Sequence, residues 1–521
     1  MSSVSIFNDV VGPVMRGPSS SHCAAALRIG RLARDLMGGE IADVLVEFDR
    51  AGSLPMTHES QGSDMGLFGG LLGWEADDER LPESARALAA AGIHLRIETV
   101  DVGDPHPNTY RLTLKNAHET HSLIAISTGG GMIEVIGIDG VALSMDGGYE
   151  ETLVWMERDG ARLAGGVTEG KAVCHRAAGF ELVQVQGDRF LGDDRLAAFG
   201  AAVRNVRRLG RVLPVPSRPE ARLPFTSTAE LVARDGAKGT PLWRLGLEYE
   251  VARSGFDEAR VLAEMTRILR LLRDSIRRGV EGTTYDDRVL GHQSGRFQER
   301  WREGRLLDGG ALNRIILYVT AMMEVKSSMG VIVAAPTAGA CAALPGAVLG
   351  MGEALGASDE DMARALLAAG LIGVFIATRW TFAAEVGGCQ AEGGSASAMS
   401  AAALVTLAGG TRDQALAAAS LAMQSMLGLI CDPIANRVEA PCLGKNVMAA
   451  ANALSCANMA LADFDPLIPF DEVVDAAMQV AGKMPREHRC TALGGLSITP
   501  ASLAIERRLA AAKGGSCSRC G

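Results

Sequence analysis

The sequence predicts an α+β N-terminal domain followed by a mostly all-α domain. Three observations carry that prediction. Over residues 1–148, short strand-like runs alternate with helical spacing. A proline-rich polar stretch, PVPSRPEARLP, spans residues 214–224 and reads as a linker. From residue 226 onward apolar residues recur at helical spacing almost throughout, broken by glycine pairs. A chain of 521 residues is too long for one compact core, so two or three domains are expected.

Taken in order, residues 24–37 have helical apolar spacing with basic residues between. Residues 43–48 (DVLVEF), 95–100 (LRIETV), 109–113 and 123–127 read as strands. Residues 149–224 form an accessory module and linker, with strands at 153–158 and 180–186 and a helix at 193–209. Residues 225–510 form the helical domain. Several of its helices are apolar on all faces, as helices in the centre of a bundle are. Its glycine-rich breaks fall at 337–339, 387–394, 409–410 and 494–495. Residues 511–521 are a tail, flexible by composition, that carries Cys517 and Cys520.

Apolar residues make up 48% of the chain and charged residues 21%, a globular balance. The formal net charge of −10 gives no general pull toward nucleic acid or an anionic membrane, so neither partner is expected. The longest apolar stretch, residues 365–378, is shorter than the roughly 20 residues of a membrane span and predicts a buried core helix. Residues 1–15 lack a basic start followed by an apolar run. A cytoplasmic setting follows, in which the ten cysteines stay reduced and become candidates for metal chemistry.

Three cysteines stand out. Cys389 sits in GGCQAEGGSAS (387–397), Cys431 opens CDP, and Cys442 follows Ala440 and Pro441. Each lies at a glycine or proline break, where a chain can leave a helix and aim a thiolate inward. A single buried cysteine is commonly just a small hydrophobe. Three in such contexts favour a metal centre. A closed electron-transfer cluster takes four cysteines, and three leave one iron free. An open iron can act as a Lewis acid on a hydroxyl group. Hydroxide is a poor leaving group, and this is the help dehydration needs.

These segments, with APTAGA (335–340), MLGLICDP (426–433), EAPC (439–442) and TALGGL (491–496), resemble the catalytic domain of iron–sulfur-dependent L-serine dehydratases. The N-terminal domain is similar to the other half of that family through GPSSSH (17–22), GS (52–53), HPNT (106–109) and STGGG (127–131). The resemblance covers about residues 5–145 and 225–505. It implies a [4Fe–4S] cluster on Cys389, Cys431 and Cys442, a small-molecule substrate, a homodimer, oxygen sensitivity and conversion of L-serine to pyruvate and ammonia. It further implies catalytic roles for His22, Ser53, Gln61, Asp64 and His106, and substrate contacts from Ser19, Ser20, Ser21, Asn108, Thr109 and Thr337. The stretch 149–224 stands where some members carry a small ACT-type regulatory module.

Several positions depart from the family pattern. Cys23 follows His22, and Gln61 stands where a histidine is expected, with His58 three residues away. Gln61 can hydrogen-bond but cannot transfer protons near neutral pH. Lys326, Arg379 and Arg437 replace small or neutral residues, and Cys490 replaces a glutamate. Three added cations predict an anion pocket and a hydroxy substrate with a second acidic group. Cys517 and Cys520 are candidates for a fourth cluster ligand. Two other readings stay open: an inactive iron–sulfur homologue, and a pyridoxal-phosphate lyase with Lys326 as its Schiff-base lysine.

Overall fold

The computed structural model describes residues 3–17, 20–59, 62–168, 170–218, 220–285 and 288–514, with the side chains of 20, 21 and 512–514 left out. The chain divides into two compact units, residues 19–217 and residues 1–18 with 218–521. The first is α+β and the second mostly helical.

Two strands near the chain start and middle, β1 (Val14–Arg16) and β12 (Val331–Val333), pair antiparallel inside the helical unit. The first described residues therefore pack with the helices, although their sequence groups them with residues 18–148. The reason is a long-range contact. The buried Glu250 carboxylate accepts from Ser5 Oγ and from the Ile6 amide, both at 2.8 Å. This fixes a single π-helical turn, Ile6–Val10, whose Ile6 side chain lies against Gly370; a Cβ at Gly370 would sit 2.5 Å from it.

Residues 19–217 hold two sheets. The larger joins β2 (Asp43–Asp49), β3 (His94–Val100), β4 (Thr109–Lys115), β5 (Thr120–Gly129), β6 (Met132–Ile138) and β7 (Val141–Met145) in the order β3-β2-β4-β5-β6-β7. Only β2 and β3 run parallel. Along β5 buried and half-buried residues alternate, the mark of a sheet with one face on the core. Helices Ser20–Leu36 and Ser63–Leu71 pack closely because glycine lines their contact: a Cβ at Gly70 would lie 2.2 Å from the Leu27 carbonyl. Ile29, Leu32, Leu67, Val46, Phe48 and Leu112 are among the buried residues of this core.

The smaller sheet joins β8 (Glu150–Met156), β9 (Gly170–Ala177), β10 (Phe180–Gly187) and β11 (Val203–Leu209), antiparallel, in the order β11-β8-β10-β9. Short helices Gly160–Gly165 and Asp193–Ala197 follow β8 and β10. The result is a β-α-β-β-α-β module, a recurrent split βαβ arrangement. Where sequence spacing predicts one helix over 193–209, the chain forms a five-residue helix and then β11. Val203 and Val206 are drawn to the small core by its apolar face.

In the helical unit, Ser395–Leu407 is the central helix, and its residues from Ser395 through Val405 are all buried. It packs against Asp359–Arg379, Arg412–Gln424, Cys442–Leu461 and Ala343–Leu355. Alanine and serine dominate it, and small residues let these axes approach. Asp359–Arg379 and Arg412–Gln424 each begin with a capping box, Ser358 with Asp361 and Thr411 with Gln414. Asp359–Arg379 is long and apolar enough to cross a membrane, yet 78% of its apolar window is buried within the protein.

Candidate active site

The thiols of the helical unit are positioned by loops that hold one another. Cys389 lies between the short helix Ala384–Gly387 and the turn Gln390–Gly394. Gly388 has φ +66°, and a Cβ there would lie 2.8 Å from Met484 Sδ, so this turn requires glycine. Buried Gln390 clamps the loop to its neighbour: its amide donates to Leu429 O at 2.9 Å, and its Oε1 accepts from the Gly428 amide at 2.8 Å. Cys431 donates its amide to His488 O at 2.9 Å and bridges Arg489 in a parallel pairing. Cys442 opens helix Cys442–Leu461, where the helix N-terminus favours a thiolate. Asn446, one turn on, accepts from the amides of Ala342 and Ala343 and donates to Gly339 O, tying the APTAGA loop to the same helix.

Cys389, Cys431 and Cys442 are buried and not disulfide-bonded. Cys389, Cys431 and Cys490 pack in one cluster with Ala384 and Leu429. Hydrogen bonds with Cys389 and Cys490 raise the Cys431 pKa, with burial adding to them. Burial pushes Cys442 up to about 12, opposed chiefly by Lys326. Among the described residues, no three of His, Cys, Asp or Glu converge as ligands of a single ion would. A cluster of several irons holds its thiolates at separate corners, so the donor set to weigh is the sulfurs themselves.

Two lysines and a glutamate complete the site. Lys445 Nζ donates to Asp432 Oδ1 and Ile430 O at 2.6 Å each and lies 3.7 Å from Cys389 Sγ. Burial works against its ammonium, but Cys389 and Asp432 outweigh burial and raise its pKa. Lys326 is fully buried and donates to Val438 O. Burial lowers its pKa, with Cys442 and Cys341 pulling the other way. Glu392 accepts from Thr337 Oγ1 at 2.7 Å, and a Cβ at Gly339 would lie 2.7 Å from its Oε1, so glycine admits the carboxyl. Burial pushes Glu392 up to about 7, against the hydrogen bond from Thr337.

Arg379 lines a groove whose lining includes neither Lys326 nor Arg437. Arg379 is exposed and pairs with Asp475 at 2.8 and 2.9 Å. It lines a cavity of about 980 Å³ with Thr228, Asp413, Phe464 and Asp471, and the three cysteines lie outside that lining. The cavity is a mostly apolar groove, whereas thiols, ammonium groups and the titrating carboxyl meet around Cys389. Arg437 is half-buried in the turn after Ile434–Asn436.

The remaining expected residues lie in residues 19–217. Gly52 lets two loops close, since a Cβ there would sit 2.7 Å from Pro107 O. Ser53 donates its amide to Pro107 O at 2.9 Å and its hydroxyl to Asn108 Oδ1. The Asn108 amide donates to His106 Nδ1 at 3.2 Å, and Thr109 Oγ1 to His106 O at 2.7 Å. Ser53, His106, Asn108 and Thr109 thus form one constellation. His22 is half-buried on helix Ser20–Leu36. Asp64 pairs with His58 Nδ1 at 2.8 and 2.9 Å; burial raises its pKa and His58 lowers it. Ser19 and Gln61 lie outside the described residues, as do the side chains of Ser20 and Ser21 and the tail cysteines.

Sequence reasoning missed Glu392, Lys445 and Asp432, although all three stand in or beside the quoted motifs. The signal was available for Glu392, an acid three residues after Cys389 in a glycine-rich turn. Cys490 was visible only as a substitution.

Buried thiols, ammonium groups and a carboxyl titrating near neutrality, within electrostatic reach of one another, define an enzyme site. The model of the serine dehydratase alpha chain family matches residues 201–497, more than half of the sequence, and the chain belongs to that family. It is a lyase of the serine dehydratase type. It is 38% identical over 249 residues to the "Probable L-serine dehydratase, alpha chain" of Bacillus subtilis, covering 48% of this chain and 83% of that one. The "Probable L-serine dehydratase, beta chain" of the same organism is 40% identical over 146 residues, 28% of this chain and 66% of its own. The L-serine dehydratase of Streptomyces coelicolor is 28% identical over 492 residues, 92% of this chain and 96% of that one. One chain here carries what the Bacillus relatives carry as two.

Proposed function

We propose that the chain is an iron–sulfur-dependent L-serine dehydratase that releases pyruvate and ammonia, with a [4Fe–4S] cluster on Cys389, Cys431 and Cys442. The observation that carries this reading is the set of three buried thiols, none in a disulfide, delivered by three loops bonded to one another. The donor set fits such a group: sulfur supplies the ligands, and Lys445 and Lys326 offset thiolate charge beside Cys389 and Cys442. When bound, the cluster supplies a Lewis-acidic iron that eases departure of the substrate hydroxyl. Reduced cysteines support a cytoplasmic setting.

The remaining chemistry falls to side chains. Glu392, with a pKa of about 7, is divided between acid and carboxylate at neutral pH, which suits it to take the Cα proton. The Thr337 hydroxyl orients that carboxyl and favours its charged form. Loss of the Cα proton and of hydroxide leaves an enamine. Its imine tautomer takes up water and releases ammonia, so the water lost is regained. Glu392 thereby fills the proton-transfer role that Gln61 cannot.

The test is anaerobic purification with cluster reconstitution, followed by measurement of pyruvate released from L-serine. Pyruvate formation that depends on bound iron and disappears in Glu392→Gln supports the reading. An iron-loaded protein that releases no keto acid from L-serine, L-threonine or acidic β-hydroxy amino acids would reject it.

A further inference from the structure

One ammonium group joins all three segments that carry the thiols of the site. Lys445 lies in the first turn of helix Cys442–Leu461, the helix that Cys442 opens. Its Nζ donates at 2.6 Å to Ile430 O and to Asp432 Oδ1, on either side of Cys431. The same Nζ donates to Cys389 Sγ at 3.7 Å. An ammonium has three N–H donors, and these three acceptors use them all. The Lys445 side chain is 16% exposed and that of Asp432 7%, so water competes little for the pair. Asp432 is itself held in place. Its Oδ2 accepts from the Leu496 amide at 3.0 Å, and a Cβ at Gly495 would lie 2.7 Å from that oxygen. A cation in the first turn of a helix opposes the helix dipole. The helix alone would therefore not favour a lysine here, and the three acceptors offset the cost. Lys326, by contrast, donates to a backbone carbonyl, Val438 O.

We propose that Lys445 is a positioning residue that donates a hydrogen bond to the iron-bound Cys389 thiolate and so raises the reduction potential of the cluster. This deepens the iron–sulfur reading and rests on it. Hydrogen bonds to the sulfurs and nearby charge set the potential of a cluster. A sulfur that shares its charge with an N–H gives less of it to iron, which makes the iron a stronger Lewis acid. The ammonium charge acts in the same direction, because it favours each added electron. Lys445 works through Cys389 rather than on the substrate.

The test uses the full-length protein reconstituted without oxygen, with its Lys445→Met, Lys445→Gln and Lys445→Arg variants. Iron and sulfide are measured first. The paramagnetic resonance signal of the one-electron-reduced cluster is then titrated against applied potential. On iron-matched samples, Lys445→Met should show a reduced-to-oxidised ratio about tenfold lower at a fixed potential, a downward shift of about 59 mV for one electron. Lys445→Gln keeps an N–H donor without the charge and should shift less in the same direction. Lys445→Arg keeps both and should return close to wild type. A merely structural contact would change iron content and leave the potential of the loaded protein in place. A wild-type potential in both neutral variants overturns the proposal while leaving the three-cysteine site intact. A shift in Lys445→Arg as large as that in Lys445→Met also overturns it. If both neutral variants stay folded by circular dichroism but take up no iron, while Lys445→Arg loads fully, Lys445 serves assembly alone and the proposal fails. If wild type takes up no iron while folded, the iron–sulfur reading fails and this proposal with it.

Discussion

Removing the hydroxyl at position 337 tests whether Glu392 is the base. The hydrogen bond from Thr337 Oγ1 at 2.7 Å is the largest influence holding the Glu392 pKa down against burial. A hydrogen bond to a charged group is worth roughly 1.5–3 kcal/mol, and about 1.4 kcal/mol corresponds to one pKa unit. In Thr337→Val the carboxyl should therefore titrate at about 8 to 9 rather than about 7. A base works in its ionised form, so raising its pKa lowers activity at neutral pH. Half the wild-type carboxyl is ionised at pH 7, against about 1–9% in the variant. The expected loss is thus about five- to fiftyfold at pH 7, recovered as pH rises above the new pKa. The assay is kcat/KM for pyruvate formation from L-serine against pH, under anaerobic conditions, on iron-matched enzymes. Thr337→Ser keeps the hydroxyl, which also accepts from the Ala340 amide, and should restore the wild-type profile; this separates loss of the hydroxyl from loss of the methyl group. If the acidic limb stays in place in Thr337→Val, or if Glu392→Gln remains fully active, Glu392 is not the base.

Four further outcomes are expected. Cys389→Ser, Cys431→Ser and Cys442→Ser should each lose bound iron and visible absorbance; full iron in any one removes that residue from the site. Gly388→Ala puts a Cβ 2.8 Å from Met484 Sδ at φ +66°, so it should disturb the Cys389 loop and lower iron loading while the fold, read by circular dichroism, persists. Glu250→Ala leaves Ser5 and the Ile6 amide without their buried acceptor and should cost about 1–3 kcal/mol in denaturant unfolding. Glu151 is buried under Gln184 and Gln186, and burial pushes its pKa up to about 8. The folded state then binds more protons than the unfolded state between the ordinary carboxylate range and about 8, so stability should fall as pH rises through that window. Glu151→Gln should flatten the fall, and an unchanged slope of thermal midpoint against pH would contradict the assignment.

The helical unit was legible because its pattern is local: apolar residues at helical spacing, and glycine breaks that became the cysteine loops. The strands 43–48, 95–100, 109–113 and 123–127 all lie within β2, β3, β4 and β5. What escaped depends on distant partners. Residues 3–17 read as part of the first domain because nothing in them announces Glu250, more than two hundred residues away, as the acceptor for their backbone. Segment 203–209 carries apolar spacing compatible with a helix, and only pairing with β8 makes it a strand. His58 stood in the sequence only as a histidine near Gln61, yet the start of helix Ser63–Leu71 brings Asp64 onto its ring.

The positions that depart from the family pattern show why charge alone is a poor guide to a site. Lys326, Arg379 and Arg437 looked equivalent as added cations, but a cation's role is set by what its chain segment lets it reach. Arg379 ends a helix at the surface and meets Asp475, a pairing worth at most about 1 kcal/mol when exposed. Lys326, one residue from the end of helix Ala311–Ser327, is driven inward and spends its hydrogen bond on Val438 O while its charge faces Cys442. One cation therefore decorates the surface and another belongs to the sulfur site. Cys490, which replaces an acid, bears on the site more directly than either arginine, because the backbone bridge between Cys431 and Arg489 fixes where its sulfur falls.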